Sequence, residues 1–281
     1  MPLSTSHFQL GLIGYPLGHS LSPKIHTAAL AASGLEGNYS LFPIPPEDKQ
    51  GLSNLLTRVR SGEINGLNVT IPHKQNVIEF MDELTPTAQA IGAVNTIYMR
   101  ENKLIGDNTD APGFLADLKQ VMNTAQSSIE NRKSAIVFGA GGSARAVVYA
   151  LVNDGWNVTL AARRIEQAQQ LANSIDHYQL TIVNYLDLQP STFNLLVNTT
   201  PLGMTPNTET SPLPENTVLS KNTFVYDLVY NPRETKLVRD ARAQGLNAST
   251  GLGMLIEQAA LAFEKWTGVS ADRSAMQQAV L

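Results

Sequence analysis

Short apolar runs alternate with helical patterns along nearly the whole chain. FQLGLIG (from Phe8), NYSLFPI (from Asn38) and INGLNVT (from Ile64) predict strands, while SPKIHTAALAAS (from Ser22) and PEDKQGLSNLLTRVR (from Pro46) between them predict helices. Strands separated by helices of this length predict βαβ units in a mostly parallel sheet, and so an α/β fold. The rhythm breaks at residues 93–108, AVNTIYMRENKLIGDN, which predict two strands joined by a polar turn around Arg100 to Lys103. A helix is expected to open at Asp110 (DAPGFLADLKQVM), and after the polar stretch NTAQSSIENRKS a second α/β series begins at SAIVFGAGG. The pattern therefore has two α/β halves, without a short-period repeat or a low-complexity linker. The tail after Gly251 is helical throughout and suited to pack on either half.

Composition narrows the class of partner. A chain of 281 residues with 43% hydrophobic and 16% charged residues has enough apolar surface to bury two cores. The net charge of -4 contains no block of like charges, so a nucleic-acid patch, a polybasic membrane anchor and an acidic tail are not expected; a small-molecule partner is. The first residues lack a basic segment followed by an apolar core, and no window offers the roughly eighteen uninterrupted apolar residues of a membrane span. The expectation is a soluble, untargeted, cytoplasmic protein. With no cysteine, disulfides, zinc-thiolate sites, iron–sulfur clusters and cysteine nucleophiles are excluded, and a reducing compartment is compatible.

SAIVFGAGGSARAVVYALV carries a G-x-G-x-x-A loop between an apolar strand and an apolar helix. Alone such a loop is often only a turn; its flanks make it a dinucleotide site. Gly139 allows the tight turn, Gly141 lets a pyrophosphate approach the backbone, and Ala144 lets helix and strand pack closely. The intervening Ala140, Gly142 and Ser143 then line the helix N-terminus, whose free N–H groups favour phosphate. About twenty residues further, where an NAD enzyme places an acid against the ribose, LAARRI has Ala162, Arg163 and Arg164. A carboxylate repels a 2′-phosphate, whereas guanidinium groups bond to it through charge-assisted forks, so the cofactor expected is NADP. The competing reading makes one of these arginines a solvated residue at the start of the next helix. A charged hydrogen bond contributes about 1.5 to 3 kcal/mol, or roughly a tenfold to hundredfold preference.

Oxidation or reduction at an alcohol also needs a group to move the hydroxyl proton. The zinc route lacks cysteine ligands, and no tyrosine has a lysine four places later, which removes the Tyr-x-x-x-Lys pair. His7, His19, His26, His73 and His177 do not group at metal spacing, so no metal is expected. The candidate is Lys74 in GLNVTIPHKQNVIEF, where Pro72 is expected to open a helix and place Lys74 in its first turn. A helix N-terminus disfavours an ammonium and so suits a proton shuttle. Asp110 in GDNTDAPGF is its candidate partner, and also reads as a helix N-cap two residues before Pro112. Ser22, before Pro23, likewise reads as a cap, whereas Ser20 is not explained that way.

GHSLSPKIH, GLNVTIPHK, IGAVNTIY, GDNTDAPGF, GAGGSARAVVYAL, YDLVYNP and GLGMLIEQAALAF, in this order across essentially the full chain, resemble the signature segments of the shikimate dehydrogenase family. The resemblance implies an N-terminal substrate domain (residues 1–109 with 251–281) and a Rossmann-type NADP domain (110–250), with the active site in a cleft between them. It implies reversible, NADPH-dependent reduction of 3-dehydroshikimate to shikimate, on the route to chorismate and the aromatic amino acids, by a monomer or homodimer. By position, Lys74 and Asp110 match the catalytic pair, with Lys74 as general acid for carbonyl reduction and Asp110 orienting it and bonding a substrate hydroxyl. Ser20 and Ser22 match the hydroxyls that hold the substrate carboxylate, and Thr70, Asn95, Tyr230 and Gln258 match further substrate contacts. NTTPLGM, with Thr199, resembles the loop beside the nicotinamide, and Gly251 also falls on the cofactor side. The family's Asn-Arg-Thr segment for the NADP phosphate is here Ala162, Arg163, Arg164, which keeps only the central arginine, although Arg164 can replace some of the lost grip. Two further readings remain: a dual quinate/shikimate enzyme, often NAD-linked, and a non-catalytic NADP-binding regulator.

Overall fold

The computed structural model describes residues 7–125, 133–175, 180–185 and 192–281; His177 lies outside them. The chain divides into two compact units, Met1–Asp110 with Ile256–Leu281, and Ala111–Leu255.

The first unit contains β1 (Phe8–Gly14), α1 (Ser22–Ala32), β2 (Gly37–Pro43), α2 (Lys49–Arg60), β3 (Gly66–Val69), a 3₁₀ turn (Ile78–Phe80), β4 (Glu83–Leu84), α3 (Pro86–Ile91), β5 (Thr96–Arg100) and β6 (Lys103–Asp107). Its sheet has the order β2-β1-β3-β5-β6-β4. The expected hairpin is present and turns at Glu101 and Asn102, whose φ values of 51° and 60° suit a two-residue hairpin loop. Three of its five strand pairs are parallel, and the antiparallel ones are those of β5 with β3 and with β6; the two-residue link from β5 to β6 can only reverse the chain. The short β4 and α3 were not visible in the apolar pattern.

The sequence also misleads at Pro72, where no α-helix begins. Residues 71–77 form successive turns. A helix would need the Lys74 carbonyl to accept from the N–H of Ile78; that carbonyl instead accepts from Val94 at 2.7 Å, and the Ile78 N–H turns back to Gln75 at 3.1 Å.

After α4 (Asp110–Thr124), the second unit runs through β7 (Ser134–Phe138), α5 (Gly142–Asn153), β8 (Asn157–Ala162), α6 (Ile165–Ser174), β9 (Thr181–Asn184), β10 (Leu195–Asn198), β11 (Phe224–Asp227), α7 (Lys236–Ala243) and β12 (Ala248–Thr250). Its strands are all parallel in the order β12-β11-β10-β7-β8-β9. That order is the doubly wound arrangement, reversing between β7 and β10, where such sheets bind ligands at their carboxyl edge. The central strands are apolar on both faces, with Ile136, Val137, Leu195, Leu196 and Val197 fully buried, as a sheet covered on both sides requires.

The helical tail forms α8 (Leu252–Thr267) and α9 (Arg273–Gln278), and the division between units falls inside α8, so the residues from Ile256 onward count with the first unit. There the Trp266 indole N–H donates to the Ile97 carbonyl at 3.1 Å, and its ring fills the space that a side chain at position 66 would need. Gly66 thus keys the tail onto β3 and β5. Among the described residues no helix is long and apolar enough to cross a membrane.

Candidate active site

In the first unit, Lys74 and Asp110 meet: Lys74 Nζ donates to Asp110 Oδ2 at 2.5 Å, with the side chains 11% and 7% exposed. Such a shielded pair requires its remaining valences to be filled. Asp110 Oδ1 accepts from Asn95 Nδ2 at 2.8 Å, and the same amide donates to Thr109 Oγ1 at 3.0 Å and Gln258 Oε1 at 3.3 Å. Asn95 is fixed in turn, because its Oδ1 accepts from the Thr109 N–H at 2.7 Å and from Thr96 Oγ1 at 2.9 Å. Four sequence candidates, Lys74, Asn95, Asp110 and Gln258, therefore form one hydrogen-bonded cluster. Thr70 directly follows β3 and is tied to β1 through its N–H, which donates to the Ile13 carbonyl at 2.8 Å.

Two capping expectations reverse. Asp110 is the first residue of α4 rather than its cap: its N–H donates to Asn108 Oδ1 at 3.1 Å, leaving the Asp110 carboxylate for Lys74 and Asn95. Ser22 is likewise the first residue of α1, and it is Ser20 whose Oγ accepts the Ser22 N–H, at 3.2 Å. The Ser20 hydroxyl proton then remains to be donated elsewhere.

The second unit supplies a backbone site. Gly139, at the end of β7, has φ +111°, and a side chain there would run into Thr199 Oγ1. Thr199 itself is anchored across the switch point, its Oγ1 donating to the Phe138 carbonyl at 2.6 Å. Ala140 and Gly141 follow, and Gly141 is the N-cap of α5, bringing no side chain to the first N–H groups at Gly142, Ser143 and Ala144. A Cβ on Gly141 would point into open space, whereas Ala144 is fully buried against the sheet. Ala162 closes β8 without an acid, and Arg163 and Arg164 follow it, both exposed, with Arg164 as the N-cap of α6. Burial raises the proton affinity of Tyr185, and the Arg163 charge opposes this. Free helix N–H groups, an unobstructed glycine and two cations with no carboxylate between them fit a dinucleotide bearing a 2′-phosphate. Tyr230 lies after β11, where burial raises its proton affinity, and Gly251 is buried so close to the Leu228 backbone that no side chain fits.

Family models match along the chain: the shikimate dehydrogenase substrate binding domain over residues 12–97, shikimate / quinate 5-dehydrogenase over 123–200, and the shikimate 5′-dehydrogenase C-terminal domain over 251–281. A shikimate dehydrogenase (NADP(+)) from Shouchella clausii is 39% identical over 274 residues, covering 97% of each chain. The chain belongs to the shikimate dehydrogenase family. Among solved structures, shikimate 5-dehydrogenase from Thermus thermophilus in complex with NADP(H) and shikimate is 38% identical, with a TM-score of 0.84, covering 97% of this chain and 98% of that one. Quinate dehydrogenase from Corynebacterium glutamicum in complex with NAD is 32% identical, with a TM-score of 0.85 and coverage of 97% and 98%.

In this member of the shikimate dehydrogenase family, part of the site's support escaped sequence reasoning. Asn68 accepts from the Tyr39 hydroxyl at 2.8 Å and donates to the Asn95 carbonyl at 3.2 Å, buried within β3. The signal available was an amide inside an otherwise apolar strand, which cannot stay buried without partners. Asn108, buried just after β6, donates its Nδ2 to the Ala93 carbonyl at 2.9 Å, and the polar stretch GDNTD around it carried no such signal.

Proposed function

We propose that this protein is an NADP-dependent shikimate dehydrogenase, interconverting 3-dehydroshikimate and shikimate, and that Lys74 and Asp110 carry the proton. The observation that supports this reading best is the shielded Lys74–Asp110 pair held by Asn95. NADPH, when bound, supplies the hydride to the carbonyl carbon. Lys74 Nζ gives a proton to the carbonyl oxygen as it becomes a hydroxyl, and takes it back in the oxidative direction. Asp110 Oδ2 holds the ammonium in place, and the Asn95 and Gln258 amides give the neighbouring hydroxyls of a polyol acid their donors and acceptors. Ser20 and Ser22 hold the substrate carboxylate, and Thr70 and Tyr230 complete its contacts.

Gly139 to Ala144 hold the pyrophosphate at the α5 N-terminus, Thr199 lies toward the nicotinamide, Gly251 lets the backbone approach closely, and Arg163 with Arg164 grips the 2′-phosphate. A chain free of cysteine suits the reducing cytoplasm, its proposed location.

The test is the absorbance of reduced nicotinamide with purified protein, crossing shikimate and quinate against NADP and NAD. Turnover chiefly with shikimate and NADP is expected. Turnover mainly with quinate or NAD would keep the catalytic pair and overturn the specificity, and no turnover with any pair would favour a regulator.

A further inference from the structure

The loops after β10 and β11 are cross-linked through two side chains that the proposed reaction does not use, Asn198 and Asp227. Both are fully buried and end their strands at the carboxyl edge of the sheet. Asp227 Oδ1 accepts from Asn198 Nδ2 at 2.8 Å and from the Val229 N–H at 3.1 Å, while Oδ2 accepts from Thr235 Oγ1 at 2.6 Å. Asn198 reaches the other way. Its Oδ1 accepts from the Thr200 N–H at 3.0 Å and Thr200 Oγ1 at 2.7 Å, its Nδ2 also donates to the Leu202 carbonyl at 3.2 Å, and its own carbonyl accepts from the Leu228 N–H at 2.9 Å. Further along, the Thr205 N–H donates to the Asn231 carbonyl at 3.1 Å.

Irregular backbone beside a buried sheet edge must find partners for its polar groups, and these two side chains provide them for both loops at once. One loop carries Thr199 to Met204, the other Tyr230. We propose that Asn198 and Asp227 are positioning residues that hold these loops as one body, so that the wall of the nicotinamide site and Tyr230 keep a fixed mutual placement. The proposal rests on the reading of Asn198–Met204 as the nicotinamide-side loop. It assigns the pair to hydride-transfer geometry and not to the grip on the adenosine phosphates, which the α5 N-terminus and the arginines after β8 provide.

Asn198→Ala and the milder Thr200→Val, which removes only the Thr200 hydroxyl, test it by two readouts on the full chain: turnover with NADPH and 3-dehydroshikimate, and equilibrium affinity for 2′,5′-ADP, a probe without nicotinamide. Turnover is expected to fall roughly ten- to a hundredfold for Asn198→Ala and less for Thr200→Val, since misplacement by an ångström costs about that much, with 2′,5′-ADP affinity kept within about twofold. Unchanged turnover in both variants, or parallel losses of turnover and 2′,5′-ADP affinity, would overturn the proposal. Failure of the reading beneath it has a different mark: the unsubstituted protein would bind 2′,5′-ADP yet not turn over, and both proposals would then fall together.

Discussion

In the first unit the groups proposed for proton transfer are side chains hydrogen-bonded to one another in a shielded cluster, with Lys74 and Asp110 only 11% and 7% exposed. In the second unit the groups proposed to hold the cofactor are mostly backbone N–H groups at the start of α5, helped by two exposed arginines. The contrast follows from what each site has to do. Proton transfer tolerates little error in distance, so its donor is fixed by several partners before the reaction starts. A phosphate spreads its charge over several oxygens and accepts donors from many directions, so a helix end and flexible guanidinium groups suffice.

The contrast is tested most severely by Lys74→Ala, which is expected to lower turnover by roughly 10² to 10⁴, the usual scale for a lost acid–base group. Circular dichroism should confirm that the variant is folded, because Asp110 keeps its bond from Asn95. Unchanged turnover would remove Lys74 from the mechanism. Arg163→Ala should raise the Michaelis constant for NADP about ten- to a hundredfold and leave that for NAD nearly unaltered. Equal losses with both cofactors would make Arg163 a structural residue. Gly141→Ala separates binding from folding: position 141 has an ordinary extended backbone and open space around its Cβ. Its melting temperature should match that of the unsubstituted protein, while the Michaelis constant for NADP rises on the order of tenfold, because the methyl occupies the phosphate's approach.

The smallest effect concerns pH and stability. Burial pushes the Asp227 carboxyl up to about 6 despite its bonds from Thr235, Val229 and Asn198. Between the usual carboxylate value of 3.8 and about 6 the folded chain holds this proton more tightly than the unfolded chain. The Asp227 contribution to stability is therefore fully present below the lower value and is lost as pH rises through the upper one. Urea titrations of Asp227→Asn should show a shallower decline across that window, and an identical slope would contradict the raised proton affinity.

The second unit was the more legible in the sequence, because its elements are set by local signals. An apolar strand, glycines at fixed offsets and an apolar helix dictate the β7–α5 turn without help from distant residues, and the missing acid at Ala162 could be read directly. The cluster in the first unit depends on contacts such as Asn95–Gln258, between residues 163 positions apart, and no spacing rule reaches that far. There resemblance named the members, but only the fold explains how they are held. The errors at Pro72, Ser22 and Asp110 share one cause. Each residue type favours a local helix role, and in each place a partner from elsewhere in the chain or a neighbouring side chain took the hydrogen bond first: Val94 on the Lys74 carbonyl, Ser20 on the Ser22 N–H, Asn108 on the Asp110 N–H.

The placement of Trp266 over Gly66 also bears on the order in which the chain acquires its structure during synthesis. Residues 111–255 are contiguous, so a ribosome that has released them has delivered every strand of the second sheet. The first unit, although made earlier, lacks the indole over β3 and the Gln258 amide beside Asn95 until residues 256–281 emerge. The hydrogen-bonded cluster of Lys74, Asp110, Asn95 and Gln258 is therefore completed last, after the second sheet has all its strands.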